Sequence, residues 1–283
     1  MKLEGKVALV TGASPNIMGG IIEAFAEEGA RVVCVDVRPE FANGAVAAVK
    51  AKGSEGLAAV CDVTQEEQVK ATIEQARETF GGIDILVNGA VIQIRKGVLQ
   101  MQTDEWRRQV DIILTGTFLF TKHVAQQMVD QGRQGTIINI ISTEAHQGNP
   151  GNIGYGTCKS GLINFTRAVA MELCQYGIRV NSLTPTATDP REAIERAKRW
   201  GLEKYEPVGY QRMMENLERM SSRIPLGKMP SPSDYGRAAV FLASSDAAMM
   251  TGFDLRVDAG NVAKYWGFNP AEGITASFPV EQT

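Results

Sequence analysis

The chain has 283 residues, 44% of them hydrophobic and 22% charged, with a net charge of -3 and a pI near 5.6. That length and apolar content can bury a sizeable core at the upper end of one α/β domain, and the mildly acidic balance offers no global basic surface to nucleic acid or anionic lipid. Two histidines, and four cysteines without a Cys-x-x-Cys spacing, give no metal-site pattern.

The N-terminus passes directly into Val7-Ala8-Leu9-Val10, too short an apolar run for a signal segment or a membrane span. The expectation is a soluble cytoplasmic protein, with Cys34 and Cys61 as buried free thiols in apolar runs. Lys6 to Val10 reads as a strand, and about Ile17 to Glu28 as a helix. Arg31 to Asp36 is a second strand closed by an acid, followed by an alanine-rich helix over 41–52 and a strand over Gly56 to Val60. Gln65 to Phe80 has helical periodicity and stops at Gly81-Gly82; Asp84 to Asn88 is a fourth strand. Helices follow over 103–111 and 115–131, a strand over 135–141, a long helix over 153–175, and strands from Ile178 to Leu183 and Gly252 to Val257. Short apolar runs alternating with helical patterns of ten to twenty residues predict a single-domain, doubly wound parallel sheet of about seven strands with helices on both faces.

The first strand-to-helix turn, Thr11 to Gly20, has the placement of a dinucleotide-binding turn, whose backbone amides meet a pyrophosphate at a helix N-terminus. Gly12 suits the tight bend, and Asn16 tolerates positive φ better than most residues. Asp36 lies 24 residues after Gly12, near the spacing of an acid that binds a ribose 2′-hydroxyl, which favours NAD over NADP. Arg38 stands against that preference, since a nearby arginine accommodates a 2′-phosphate.

Tyr155 and Lys159 are four residues apart, hence one turn apart on one helix face. An ammonium beside a phenol favours the phenolate. Ser142 precedes Tyr155 by thirteen residues at the end of the apolar run 136–141, where open α/β sheets place reactive groups.

Thr11-Gly12, Asp62-Val63, Asp84-Ile85-Leu86-Val87-Asn88, Ser142, Tyr155-x-x-x-Lys159, the segment Val180 to Pro185 and Val257-Asp258-Ala259-Gly260 together resemble the short-chain dehydrogenase/reductase family, over about residues 4–260. The resemblance implies Tyr155 as general acid/base, Ser142 as the group orienting the substrate oxygen, and Lys159 as the ribose ligand that, with the charge of an oxidised nicotinamide, lowers the Tyr155 pKa. It implies Gly12, Ser14, Asn16, Ile17 and Met18 along the phosphates, Asp36 on the ribose, and Asp62 and Val63 beside the adenine. Asn88, Gly89 and Ala90 would lie along the cofactor, with Pro185 and Thr188 near its carboxamide. Gln93, Glu144, His146 and Met214 are candidates for contact with a small alcohol or ketone substrate.

Several positions depart from the family pattern. Asn16 and Met18 replace two glycines, Asn88-Gly89-Ala90-Val91 replaces Asn-Asn-Ala-Gly, Thr186 follows Pro185 in place of glycine, and Ile113 falls where an asparagine helps hold a relay water. Residues 188–228 are too long for a simple crossover; helical pieces over Arg191 to Trp200 and Gln211 to Met220 would form a substrate lid, with Trp200, Tyr205, Tyr210, Met213, Met214 and Met220 as candidate pocket lining. The extension 261–283 carries Tyr265, Trp266, Phe268 and Phe278 and is expected to pack, in a homotetramer or homodimer. The leading reading is NAD-dependent oxidation of a secondary alcohol. The alternatives are an NADPH-dependent ketoreductase of acyl thioesters, using Arg95 and Lys96, and a non-catalytic dinucleotide-binding protein.

Overall fold

The computed structural model describes residues 1–207 and 209–264. The aromatic residues at 265, 266, 268 and 278 lie outside the described residues. Strands β1 (Val7–Thr11), β2 (Arg31–Asp36), β3 (Gly56–Val60), β4 (Ile85–Asn88), β5 (Thr136–Ile140), β6 (Arg179–Pro185) and β7 (Asp254–Val257) form one sheet in the order β3-β2-β1-β4-β5-β6-β7. Every pairing is parallel, with Val10 opposite Cys34 and Val87, for example.

Alternating side chains of the buried strands feed two apolar layers. Ala8, Val10, Val32, Cys34, Ile138 and Leu183 face one layer, with α1 (Ile17–Glu27), α2 (Pro39–Ala51) and α10 (Pro232–Ala243). Val7, Leu9, Val33, Leu86, Ile137 and Val180 face the other, with α3 (Glu66–Phe80), α5 (Gly116–Asp130) and α6 (Ile153–Leu173). The winding direction reverses between β1 and β4, and a crevice opens beyond their carboxyl ends. Here Thr11 Oγ1 accepts the Gly89 amide at 3.0 Å and the Ala90 amide at 3.3 Å, tying the two strand ends together.

The sequence reading separates helices 103–111 and 115–131. In the structure α4 (Thr103–Val110) runs into α5 through a widened π turn, Asp111–Thr115, with helical backbone throughout. The lid region holds α7 (Arg191–Arg199) and two short helices, α8 (Tyr210–Glu215) and α9 (Leu217–Ser221). Helix α10 is absent from the sequence reading. Its signal was present in Ser231-Pro232-Ser233-Asp234: Ser231 and Asp234 cap each other reciprocally, and proline occupies the first turn. All four cysteines are free; Cys34, Cys61 and Cys158 are buried and Cys174 is exposed. No described helix is long and apolar enough to cross a membrane.

Helix α10 packs against α1 through glycines. A Cβ on Gly20 would collide with the Pro232 carbonyl, and one on Gly236 with the Gly20 carbonyl. Gly20→Ala should therefore destabilise the fold by about 2 kcal/mol through forced separation of the helices. Gly148→Ala, with open space at its Cβ, should change urea unfolding by less than about 0.5 kcal/mol.

Candidate functional site

The nucleotide turn joins β1 to α1 at the switch-point crevice. Gly12 has φ +74°, and an added Cβ would lie 2.9 Å from Ala90 Cα, so both conformation and space require glycine. Asn16 has φ -78°. It replaces a glycine without entering the left-handed region, contrary to the reason expected from its residue type. Its side chain makes no capping bond, and the buried Oδ1 has no hydrogen-bond partner. The first amides of α1 are thus left without a side-chain acceptor beside the crevice, an arrangement suited to a phosphate. Ser14 and Ile17 flank this turn, half-buried.

Met18 and Gly89 explain each other. Met18 is buried, and its thioether fills the position a Cβ on Gly89 would take. The side chain missing from the β4 loop is replaced by one from the turn, which closes the crevice floor at unchanged backbone spacing.

The ribose corner is built at the end of β2. Burial pushes the Asp36 carboxyl up, while its Oδ1 accepts the Arg38 amide at 2.9 Å. The Arg38 guanidinium lies 3.9 Å from the centre of the Phe41 ring. Asp62 Oδ1 accepts from the Thr64 amide and hydroxyl at 3.0 and 2.8 Å, starting the turn into α3. Val63 packs on Gly116. The Asn88 side chain points into the sheet, donating to Thr121 at 3.1 Å and to Asn139 at 2.9 Å; Asn139 donates onward to Thr166 at 3.0 Å. The Asn88 Nδ2 is thereby engaged, while its buried Oδ1 has no hydrogen-bond partner.

The third group meets where β5 ends. Ser142 caps a short 3-10 turn, Thr143–Ala145, accepting the Glu144 amide at 3.2 Å. Tyr155 and Lys159 project from the first two turns of α6, and the Ser142 hydroxyl is close enough to the phenol to favour its ionised form. Burial is the largest influence on Tyr155 and pushes it to about 12; Ser142 and Arg95 oppose the shift and Glu144 adds to it. Lys159 is buried, donates to the Ile140 carbonyl at 2.6 Å, and lies 5.7 Å from the Tyr155 ring centre. Burial lowers its pKa to about 8. Without a ligand, desolvation is the largest influence on both groups, raising the phenol and lowering the ammonium.

Other candidates separate. Glu144 accepts from Asn152 at 2.6 Å and stays beside the phenol. His146 is engaged by Asp254 at 3.0 Å and Thr184 at 3.4 Å, so its imidazole is held against β6 and β7. Gln93 accepts from Arg95 on the exposed loop after β4. Thr188 donates to the Thr186 carbonyl at 3.1 Å and meets the Tyr235 hydroxyl at 3.3 Å. Pro185, the last residue of β6, pairs with Val257. Met214 is half-buried on α8. Trp200 packs on Gly19 and Gly44, and Tyr205 meets Phe41 edge-on at 5.7 Å.

Ile113 is fully buried in the π turn, in an apolar cluster with Ile141, Cys158, Leu162 and Tyr155. Two further residues escaped the sequence reading. Gln109, fully buried, accepts the Ile94 amide at 3.1 Å and fills the space beside Gly154. Asn152 is buried with its Oδ1 unpartnered. No motif marks either; only the fold brings them beside Tyr155.

The profile of the family described as Enoyl-(Acyl carrier protein) reductase matches residues 12–261. A 3-oxoacyl-[acyl-carrier-protein] reductase of Vibrio cholerae is 34% identical, covering 92% of this chain and 98% of its own. The galactitol 2-dehydrogenase of Agrobacterium fabrum is also 34% identical, over 92% and 99%. A solved structure of an NAD+-bound xylitol dehydrogenase superposes with a TM-score of 0.80 at 31% identity, covering 92% of this chain and all of that one. The chain belongs to the short-chain dehydrogenase/reductase family. It is an oxidoreductase of that family, whose members bind a nicotinamide dinucleotide.

The shifted pKa values set a stability profile. With Lys159 lowered from 10.5 to about 8, the folded chain binds fewer protons there than the unfolded chain across that window, so this group makes stability rise with pH from 8 to 10.5. Tyr155, raised from 10 to about 12, makes stability fall between those values. In chemical unfolding at a series of pH values, Lys159→Met should lose the rise and Tyr155→Phe the fall, each relative to wild type.

Proposed function

We propose that the protein is an NAD-dependent dehydrogenase that oxidises a secondary alcohol to a ketone, or runs in reverse, with Tyr155 as general acid/base. The observation that carries this reading is the convergence of the Ser142 hydroxyl, the Tyr155 phenol and the Lys159 ammonium where β5 meets α6.

The bound nicotinamide supplies the hydride acceptor or donor. The chain's own residues handle the proton and the position. The protonated Tyr155 is ready to give its proton to the carbonyl oxygen in reduction; in oxidation the phenolate takes the proton of the alcohol. Ser142 holds the same oxygen and fixes the reacting carbon. Lys159 binds the ribose hydroxyls, and its charge, with that of the oxidised ring, opposes the desolvation that holds the phenol up. Ile113 cannot hold a water by its side chain, so the proton reaches solvent by another route.

NAD is favoured over NADP because Asp36 meets the ribose and Arg38 is engaged by the Phe41 face at 3.9 Å. Glu144, close enough to Tyr155 to act on its charge, suits a substrate with further hydroxyl groups. The similarity to a galactitol dehydrogenase and a xylitol dehydrogenase lends support to a polyol-like substrate. The acyl-thioester alternative has support from the Vibrio relative. It loses ground at the pocket mouth, where Lys96 is paired with Glu105 at 2.5 Å. Residues 188–228 serve as the lid in this reading. The active form is a homotetramer or homodimer through α5 and α6, which expose Phe118 and Met171; elution as a clean monomer would contradict that part.

NAD reduction assayed across a panel of polyols and cyclic alcohols should find a substrate, and Tyr155→Phe should lower kcat by about a thousandfold while still binding NAD. Activity unaffected by that change refutes the mechanism. Faster turnover of an acetoacetyl thioester with NADPH supports the alternative.

A further inference from the structure

Helix α7 carries the largest fully buried side chain among the described residues, Arg196, and places it against the nucleotide turn rather than over a substrate pocket. A buried guanidinium is costly to desolvate and is retained where several acceptors surround it. Arg196 has three, on separate pieces of the chain. Its Nη1 donates to the Pro15 carbonyl at 3.0 Å, its Nη2 donates to Glu192 at 2.6 Å, and its Nε lies 3.1 Å from Glu23 of α1 as an ion pair without a hydrogen bond. The cluster is braced further. Arg199 reaches Glu23 at 3.1 Å, Ser233 of α10 donates to Glu192 at 2.6 Å, and the Trp200 ring covers Gly19 and Gly44.

The bond to Pro15 has a geometric consequence. The Pro15 carbonyl and the Asn16 N–H belong to one trans, planar peptide unit and point in opposite directions. Pinning the carbonyl therefore aims the Asn16 N–H away from Arg196, and that N–H has no acceptor among the described residues. Glycines usually let such a turn shape itself around the phosphates. Here Asn16 and Met18 stand in their place, so the turn is shaped from outside, by α7.

We propose that Arg196 is the positioning residue of the nucleotide turn, orienting the Pro15–Asn16 peptide so that its N–H meets the dinucleotide pyrophosphate. The proposal rests on the reading of this crevice as a nicotinamide dinucleotide site. It makes α7 part of the cofactor site.

The test compares ligands with and without phosphates on the whole protein. Arg196→Met should raise the Kd of NAD and of ADP by about tenfold, equivalent to the loss of one well-aligned charged contact. Adenosine, which lacks phosphate, should bind as it does to wild type. KM for NAD should rise with the Kd while kcat at saturating NAD changes less than about twofold. Arg196→Lys keeps the charge against Glu23 and Glu192 but not the fork, and should give an intermediate loss of about threefold; it carries the same comparison if Arg196→Met does not fold. ADP binding that stays at the wild-type value in the folded variants, or a loss equal for ADP and adenosine, overturns the positioning role. A wild-type protein that binds neither ADP nor NAD overturns both this proposal and the dinucleotide reading beneath it.

Discussion

Burying the Lys159 ammonium strips it of hydration and returns one hydrogen bond, to the Ile140 carbonyl at 2.6 Å. That bond is possible only if the second turn of α6 stays seated on the end of β5. The seat is a buried polar ladder from Thr121 through Asn88 and Asn139 to Thr166, which crosses β4 and β5 and reaches α5 and α6. Each rung satisfies a group that would otherwise be buried unpaired. The ladder thus fixes where Lys159 and Tyr155 stand, and the same low-dielectric surroundings push the phenol up and the ammonium down.

The nucleotide side follows a different logic. Its two missing glycines are compensated by neighbours rather than by backbone strain. Met18 fills the space left by Gly89, and Asn16 keeps an ordinary φ of -78°. Conformational freedom that glycine would provide is replaced by packing and by the Arg196 contact from α7. The crevice is consequently more preorganised than the altered motif suggests, and preorganised sites lose less entropy on binding.

Much of this was legible in the chain. Continuous apolar runs such as Val7 to Val10 and Arg31 to Asp36 read as strands buried on both faces, and the spacing from Ser142 to Lys159 picked out three side chains that the structure groups where β5 meets α6. Contacts between distant segments were not legible. Trp200 and Tyr205 look like pocket lining in sequence, yet pack on Gly44 and Phe41, because helix periodicity gives the buried face of α7 without naming its partner. His146 sits four residues past Ser142, but a 3-10 turn directs it to Asp254. The desolvation of Tyr155 was not legible either, since a four-residue spacing reports a neighbouring charge and says nothing of the water excluded around it. Helix α10 was missed although Ser231 and Asp234 form a readable capping pair.

Desolvation, rather than the neighbouring lysine, governs the ligand-free tyrosine. An ultraviolet difference titration of wild type against Tyr155→Phe isolates this one phenol. The account predicts that its phenolate appears only as pH approaches about 12. Ionisation at or below the ordinary tyrosine value of 10 would contradict it.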